Sequence, residues 1–400
     1  MLDFRGKRGD SHALFTIFLI VFIDIFGFSL ILPLLPFVAE RFGASPLKIG
    51  LLGASYSFFQ LLASPVLGFL SDRYGRKKIL ILSQLGSAAG FLLLGFAHSL
   101  PLIFLSRVVD GITGGNISVA QAYIADITTK KNRAKGMGII GAAFGLGFLF
   151  GPAIGGLLSQ NGFAIPALIA VFVSLFSTLT TALFLKETVK KKNRSFLGHF
   201  SSHLPLTSFF KSLSFSGFGL FLLIFLFLNI GQATLQAIFP LWAESRFGFG
   251  PREMGWFFTY VGLWAILVQL MILPRFVAKI GERTSLKIGI FLWALGFLLV
   301  PLALHPSLLW LFMPLISLGS GLANPTLQAI ASKQAKEDVQ GEALGVMQSA
   351  GSLGRIIGPV MGGFIFQTFG KNIPFFVGFF FFILSLGLLS HRPRPKLRLI

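Results

Sequence analysis

Long apolar segments recur along the whole chain, and they restrict its possible folds more than any other feature. Twelve such segments, each at least 18 residues long, lie between residues 13 and 390. An α-helix rises about 1.5 Å per residue, so about 20 apolar residues cross a hydrocarbon layer of roughly 30 Å. Over half of the residues are hydrophobic and only 12% are charged, which is too much apolar surface for a soluble core. We therefore predict an all-α membrane protein with twelve transmembrane helices.

The predicted segments divide the chain into two halves. We place them at residues 13–38, 47–70, 79–97, 101–127, 136–159, 164–185, 215–240, 252–274, 286–304, 308–332, 343–366 and 373–390. The longest hydrophilic stretch lies near the middle and is rich in basic residues. It predicts a cytoplasmic linker over 187–213, between an N-terminal six-helix half (1–186) and a C-terminal one (214–400). The first apolar segment is too long for a signal-peptide core, so we expect it to be retained.

The net charge of +20 is distributed asymmetrically between the loops. If the N-terminus is cytoplasmic, 27 of the 34 Lys and Arg residues fall in the termini and in cytoplasmic loops. Only five lie in external loops, namely Arg41, Lys48, Arg246, Arg252 and Lys371. This bias predicts that both termini are cytoplasmic, in a membrane such as the bacterial cytoplasmic membrane. The basic charge therefore orients the protein in the lipid bilayer, and we expect no nucleic-acid partner.

A glycine–proline motif appears once in each half. Residues 138–156 read GIIGAAFGLGFLFGPAIGG, and residues 345–363 read GVMQSAGSLGRIIGPVMGG. The shared positions are Gly138, Gly147, Gly151, Pro152, Gly155 and Gly156 in the first copy, and Gly345, Gly354, Gly358, Pro359, Gly362 and Gly363 in the second. Six crossings return the chain to the same side, so the halves are parallel repeats. In such proteins the substrate site lies between two halves that rock about it.

Three stretches of the first half carry a family resemblance. Residues 68–80, GFLSDRYGRKKIL, match the loop signature G-x-L-x-D-R-x-G-R-K-x-x-L of the major facilitator superfamily. The stretches YSFFQLLASPVL and GGNISVAQAYIADIT, together with the glycine–proline motif, resemble the drug:proton antiporters that include the tetracycline exporters. The resemblance covers nearly all of the first half and much of the second. It implies the major facilitator fold and a transporter that works by alternating access.

The loop signature has an implied gating role. The resemblance implies that Asp72 meets the N-terminus of segment eleven and holds the cytoplasmic side shut, and that Arg76 reaches Asp126. A partly buried carboxylate at a helix N-terminus gains up to about 2 kcal/mol. Gly68 would allow segments two and eleven to approach, and Gly75 would permit a tight turn. The alternative is that these residues only set topology and turn shape.

The glycine–proline motif offers no polar chemistry of its own. Its glycines at helical spacing make a flat face for close packing, and Pro152 favours a kink. In the family it resembles, this motif belongs to antiporters and implies a sealed helix interface that discourages ion leak. Close packing alone is the alternative, and the presence of the motif in both halves favours that architectural interpretation slightly.

Four charged residues lie inside predicted segments, where each costs at least about 2.5–3.5 kcal/mol. Arg107 and Asp110 are three residues apart and can pair on one helix face. Asp24 lies about 16 Å into the first segment, near the midplane, and has no partner in its own helix. Burial disfavours the charged form of a carboxyl group, so we predict Asp24 as the proton-coupling site, with Asp110 second. The alternative is a structural role for Asp24, for example in pairing with Arg107.

Arg355, the fourth charge, lies within the second glycine–proline motif. It could attract a substrate anion or control the protonation of a nearby acid. It could equally pair with Asp24 as a structural lock. These three interpretations stay open at the level of sequence.

Polar side chains within the segments are candidates for lining a substrate cavity. Several share a helix face, as in segment seven, where three amides fall at i, i+3 and i+7. The candidates are Tyr56, Gln60, Asn116, Gln121, Asn229, Gln232, Gln236, Gln269, Asn324 and Gln328. Taken singly, each amide could instead form an interhelical hydrogen bond.

The chemistry of the sequence argues against an enzyme. It has no cysteine, its six histidines lack ligand spacing, and it contains no phosphate-binding GxxxxGK[ST] loop. We therefore expect no catalytic residues, metal or cofactor. We predict a monomeric secondary transporter that exports a small amphiphilic molecule in exchange for protons. The alternatives are an uptake carrier for a small metabolite and, more remotely, a non-transporting receptor on the same scaffold. A channel is disfavoured, because the polar residues form no repeated rings.

Overall fold

The computed structural model describes residues 8–128, 133–189, 218–334 and 340–390. Within these ranges, the side chains of 8–13, 133–135, 137, 334 and 340–342 are not described. Every regular element in the described ranges is a helix. Most of the predicted linker, 190–213, lies outside the described residues, as does the beginning of the seventh predicted segment, 215–217.

The described residues contain eight α-helices in the first half of the chain and seven in the second. Those of the first half are α1 (Arg8–Ile31), α2 (Leu35–Arg41), α3 (Pro46–Tyr74), α4 (Arg76–Gly95), α5 (Leu100–Thr113), α6 (Asn116–Ile127), α7 (Arg133–Leu158) and α8 (Ala164–Phe184). A short 3₁₀ helix over Ser159–Asn161 follows α7. Within this half, α1 packs on α7 and α8, while α4 packs on α5 and α8.

Seven α-helices form the second half. They are α9 (Phe218–Phe247), α10 (Pro251–Leu267), α11 (Leu273–Ile280), α12 (Glu282–Leu299), α13 (Pro306–Gln334), α14 (Gln340–Phe369) and α15 (Ile373–Ser390). Here α9 packs on α14 and α15, while α12 packs on α13 and α15. Each of these pairs has a counterpart in the first half, so the internal repeat extends from sequence to packing.

The described structure forms two compact units, and two helices have residues in both units. Unit 1 comprises 1–42, 59–202 and 251–259, and unit 2 comprises 43–58, 203–250 and 260–400. The first half of α3 therefore belongs to unit 2, and the first half of α10 to unit 1. At the first of these places a Cβ on Gly50 would lie only 2.1 Å from the carbonyl oxygen of Pro359, so the two backbones are in direct contact.

The glycine–proline motif of unit 1 packs directly on α1. A Cβ on Gly151 would lie 2.0 Å from Ser29 Oγ, and one on Gly155 would lie 2.2 Å from the Leu30 carbonyl oxygen. The Ser29 hydroxyl donates to the Gly147 carbonyl oxygen at 2.7 Å. Because the glycines have no side chains, the two helix backbones approach closely, and this hydrogen bond connects them.

The second copy of the motif packs in the same way on α9. A Cβ on Gly358 would lie 2.5 Å from the Ile230 carbonyl oxygen, and the Thr234 hydroxyl donates to Gly358 O at 2.9 Å. The first glycine of each copy is different. A Cβ on Gly138 or Gly345 would meet no described atom within 4 Å. Among the shared glycines, close packing therefore begins at Gly147 and Gly354, about two and a half turns into the motif.

Three predicted segments are not the single uninterrupted helices that we expected. Segment one is divided by a turn at 32–34, segment four by Gly114 and Gly115, and segment eight by a π-helical stretch over Val268–Ile272. Hydropathy carries little information about such breaks, because the interrupting residues remain apolar or small. Membrane helices tolerate the breaks where neighbouring groups satisfy the freed backbone.

Length and composition support a membrane protein throughout the described ranges. Ten helical spans there are long and apolar enough to cross a bilayer. Segment four is absent from that set because its two helices have only 14 and 12 residues. The count of twelve spanning helices stays a prediction.

Candidate functional site

A buried polar cluster lies inside unit 1, around Asp24 on α1. Both carboxylate oxygens of Asp24 are buried, and neither has a hydrogen-bond partner in the described part of the chain. Its polar neighbours are Ser177 on α8, Asn116 on α6 and Gln84 on α4, and Asp110 is an acidic neighbour. Four helices thus supply polar groups to one acid in an otherwise apolar interior.

Two of these helices are connected by a chain of hydrogen bonds beside Asp24. Gln84 Nε2 donates to Ser177 Oγ at 2.8 Å, and the Thr181 hydroxyl donates to Gln84 Oε1 at 3.0 Å. All three side chains are fully buried. Sequence reasoning missed them. The available signal was the spacing of Ser174, Ser177 and Thr181 at i, i+3 and i+7, a polar stripe on the apolar helix α8.

Arg107 and Asp110 form the buried ion pair of this cluster. Arg107 Nη1 lies 3.3 Å from Asp110 Oδ2, and both side chains are only 4% exposed. The guanidinium also lies over the ring of Phe91, 5.9 Å from its centroid. Because Arg107 balances Asp110, the charge of Asp24 is the one that the cluster leaves uncompensated.

The break in segment four lies next to this cluster. Gln60 Nε2 donates to the Gly114 carbonyl oxygen at 2.9 Å, so a side chain of α3 satisfies a backbone group that the break frees. Asn116 is the first residue of α6, is 7% exposed, and has a buried Oδ1 without a partner in the described ranges. Two amides that we predicted as cavity residues therefore lie at the break.

The loop signature builds a second polar cluster, at the end of α3 and the beginning of α4. Arg76 contacts Asp72 at 2.5 Å and Asp126 at 3.1 Å, and its Nη1 donates to Ser71 Oγ at 2.6 Å. Gly75 separates the two helices with a φ of 108°, a conformation that side chains rarely adopt. A Cβ on Gly68 would meet no described atom within 4 Å, so close helix approach at that glycine stays a prediction.

Glu187 caps the N-terminus of α4, although it lies 111 residues after Arg76 in the chain. It was not identified from the sequence. Its carboxylate accepts from the backbone N–H of Arg76 at 2.8 Å and of Lys77 at 3.3 Å. Thr188 donates to Asp126 Oδ2 at 3.0 Å. The first residues of the predicted linker are therefore bound to the loop-signature cluster, which adds a carboxylate at a helix N-terminus where such charge is favourable.

Unit 2 contains a polar group around Arg355. Arg355 Nη2 donates to Ser352 Oγ at 2.9 Å, and Tyr56 is its electrostatic neighbour. Asn229 Nδ2 donates to the Phe225 carbonyl oxygen at 2.8 Å, which leaves Asn229 Oδ1 beside Gly351.

The other predicted cavity residues are dispersed. Gln232 Oε1 and Asn324 Oδ1 are buried without a hydrogen-bond partner among the described residues. Gln236 and Gln328 are half-buried, whereas Gln121 and Gln269 are exposed. In the described ranges no group of three or more His, Asp or Glu side chains could hold a metal ion.

These features define a class of protein. A long series of apolar helices, a helix-packing pattern that is repeated in both halves and buried charges inside the helices are typical of a membrane transporter built from two related halves. Residues 17–359 and 221–399 match the family model of the Major Facilitator Superfamily. The chain belongs to that superfamily.

Curated relatives and solved structures agree with this assignment. The chain is 32% identical to tetracycline resistance protein, class H, of Pasteurella multocida, over 89% of this chain and 90% of the relative. It is 31% identical to multidrug resistance protein 2 of Bacillus subtilis (strain 168), over 93% and 94%. The predicted similarity to the tetracycline exporters is thereby confirmed. In fold, it is similar to a POT family transporter in complex with 5-aminolevulinic acid, with a TM-score of 0.81, 16% identity, and coverage of 98% and 97%.

Proposed function

We propose that this protein is a proton-coupled exporter of small amphiphilic molecules that works by alternating access. The observation that carries the proposal is Asp24, a carboxyl group deep in α1 whose two oxygens are buried without a hydrogen-bond partner in the described structure. Burying an ionised carboxylate in such a place costs much more free energy than burying its protonated form. Asp24 is therefore suited to take up a proton from one side of the membrane and release it to the other.

Charge balance within the cluster supports this role. Asp110 and Arg107 cancel one another, so the cluster carries one negative charge when Asp24 is ionised and none when Asp24 is protonated. A neutral cluster can change its exposure across the membrane without moving charge through the hydrocarbon layer. The hydrogen-bond chain from Thr181 through Gln84 to Ser177 places polar side chains beside Asp24 in the otherwise apolar interior.

The relatives supply the direction and the substrate class of the proposal. Proteins named for tetracycline resistance and multidrug resistance are about 30% identical to this chain over most of its length. By analogy, the substrate leaves the cell as protons enter. The positive-inside distribution supports a bacterial cytoplasmic membrane with both termini cytoplasmic. We propose a monomer in which residues 1–186 and 214–400 rock about a cavity, with the Asp72–Arg76–Asp126 cluster as the cytoplasmic gate.

The test separates proton coupling from substrate binding. The purified protein is reconstituted into sealed liposomes that contain a pH-sensitive dye. The solutes supplied are tetracycline, amphiphilic cations, weak acids or sugars. Each solute is measured in two modes, as accumulation driven by a pH gradient and as solute-for-solute exchange at equal pH. Asp24→Asn should lose gradient-driven accumulation but retain exchange, because exchange requires no proton release. Asp24→Glu, which keeps the titratable group, is the matched control and should retain both modes.

Other outcomes redirect the assignment. If Asp24→Asn accumulates solute as fast as the parent, the proton site is Asp110 or another group. If solute exchange in the parent never moves protons, the protein is a uniporter or solute exchanger. If gradient-driven flux occurs only in the inward direction, the uptake-carrier alternative replaces export.

A further inference from the structure

Arg355 is a charged residue inside the helices of unit 2 that has no acidic partner in the described structure. It lies at the middle of α14, fifteen residues after Gln340, or about 22 Å along the helix. Arginine stays charged in proteins, and a charge at this depth costs at least about 2.5–3.5 kcal/mol. A cost of that size is normally offset by a partner.

The acids on the described helices of unit 2 lie elsewhere. Glu244 is near the end of α9, and Glu282, at the beginning of α12, pairs with Lys333 at 2.5 Å. Glu342 is on the same helix as Arg355 but thirteen residues earlier, about 20 Å along the axis. The described ion pairs include none with Arg355. The polar contacts described for its guanidinium are with Ser352 and, electrostatically, with Tyr56.

A glycine brings the guanidinium close to an amide oxygen. Gly351 lies one turn earlier on the same helix, and the place where its Cβ would be is 3.1 Å from Phe225 Cε1, 3.5 Å from Arg355 Nη1 and 3.5 Å from Asn229 Oδ1. A cationic donor and an amide acceptor therefore face the same point, where a side chain would crowd Phe225. Because Asn229 Nδ2 already donates to Phe225, the oxygen is the free end of that amide.

We propose that Arg355 binds an anionic group of the transported molecule, so that the substrate class consists of organic acids and zwitterions. This inference rests on the proposed function, since it names what the exporter carries. One guanidinium nitrogen is engaged with Ser352, and the remaining donors match the two oxygens of a carboxylate, which arginine binds through parallel hydrogen bonds. The nearby Asn229 oxygen accepts from a hydroxyl or ammonium group on the same molecule.

The experiment measures equilibrium binding without a pH gradient, so that it does not depend on proton coupling. Matched probes are amphiphilic aromatic carboxylic acids, with and without an amino group, and their neutral primary amides. Binding is followed by the intrinsic tryptophan fluorescence of the purified protein. We expect the parent to bind an acid at least tenfold more tightly than its amide. Arg355→Gln should lose that preference while keeping the affinity for the amide, and Arg355→Lys should keep part of it.

The controls keep the result interpretable. Arg275→Gln removes an exposed arginine charge elsewhere in unit 2 and should bind like the parent. Gly351→Ala keeps the charge but adds a methyl group 3.1 Å from Phe225 Cε1 and 3.5 Å from Arg355 Nη1, and it should weaken acid binding at least threefold. Equal binding of acid and amide by the parent overturns the proposal, as does a parent that binds none of the acids. An equal loss of both in Arg355→Gln also overturns it. Failure of proton coupling appears only in the liposome assay, so the two failures are distinguishable.

Discussion

The contact between Gly75 and Glu187 gives the most quantitative prediction. Gly75→Ala places a methyl group in a backbone conformation of φ 108° and ψ 144°, which costs about 1–3 kcal/mol for a residue with a side chain. The new Cβ would also lie 2.2 Å from Glu187 Oε2. Because that oxygen is at the end of a flexible side chain, Glu187 can move aside. It would then give up its bonds to the Arg76 and Lys77 amides.

Loss of a helix cap costs about 0.5–2 kcal/mol. Gly75→Ala should therefore destabilise the protein by roughly 1.5–5 kcal/mol, from strain and cap loss together. Glu187→Ala should cost only the cap, about 0.5–2 kcal/mol. In the Glu187→Ala background the cap is already lost, so Gly75→Ala should cost only the strain. The two substitutions should thus be non-additive by about 1 kcal/mol.

The assay is reversible unfolding in mixed micelles, followed by circular dichroism, for both single variants and the double variant. Gly281→Ala is the matched control, because Gly281 has a φ of 79° in the equivalent loop of the second half and a Cβ there would meet no described atom within 4 Å. It should show strain alone. Hydrogen exchange provides the local measurement, in which the amides of Arg76 and Lys77 should exchange faster in Glu187→Ala. Additive free energies and unchanged exchange at these two amides would refute the reasoning.

Three further predictions follow from single contacts. Gly151→Ala should destabilise the protein by about 1–3 kcal/mol in the same unfolding assay, because its Cβ would overlap Ser29, whereas Gly138→Ala, with open space, should change little. Gln84→Leu should cost about 1–3 kcal/mol, because the buried Ser177 hydroxyl loses its donor while Thr181 keeps only its bond to the Ser177 carbonyl oxygen. Gln84→Glu should slow proton-driven accumulation by adding a further acid beside Asp24. Gln60→Leu should speed hydrogen exchange on the α6 side of the break, because the Gly114 carbonyl loses its donor; an unchanged exchange pattern would contradict this.

The fold was accessible from the sequence because its determinants are regular. Apolar segments of bilayer length and a glycine–proline motif repeated at one fixed offset identify helices and their pseudo-symmetry without knowledge of any contact. The helix breaks could not be predicted from the sequence in the same way. The sequence GG at 114–115 permits either a packed helix or a break, and the decision depends on Gln60, fifty-four residues earlier, which satisfies the freed carbonyl.

The site was only partly accessible for the same reason. Asp24, Arg107, Asp110 and Arg355 attract attention because charge is costly in a membrane. Hydroxyls and amides cost far less, so Gln84 or Ser177 is not exceptional until the structure brings it to an acid. The role of Glu187 could not be predicted from the sequence for a different reason. It lies in a hydrophilic segment where a carboxylate is unremarkable, and its role depends on a helix N-terminus more than a hundred residues away in the chain.

The two units share a packing pattern but not a chemistry, and this difference bears on mechanism. In unit 1 the charges of the cluster around Asp24 are two acids and one arginine, a set that under our proposal gains and loses one proton at Asp24. In the described helices of unit 2 the corresponding interior holds Arg355 without an acid, a set that cannot titrate near neutral pH but can attract an anion. If the halves arose as copies, coupling and recognition have been divided between them. A substitution at Asp24 should then alter the driving force with little effect on which solute is chosen, and a substitution at Arg355 should do the reverse.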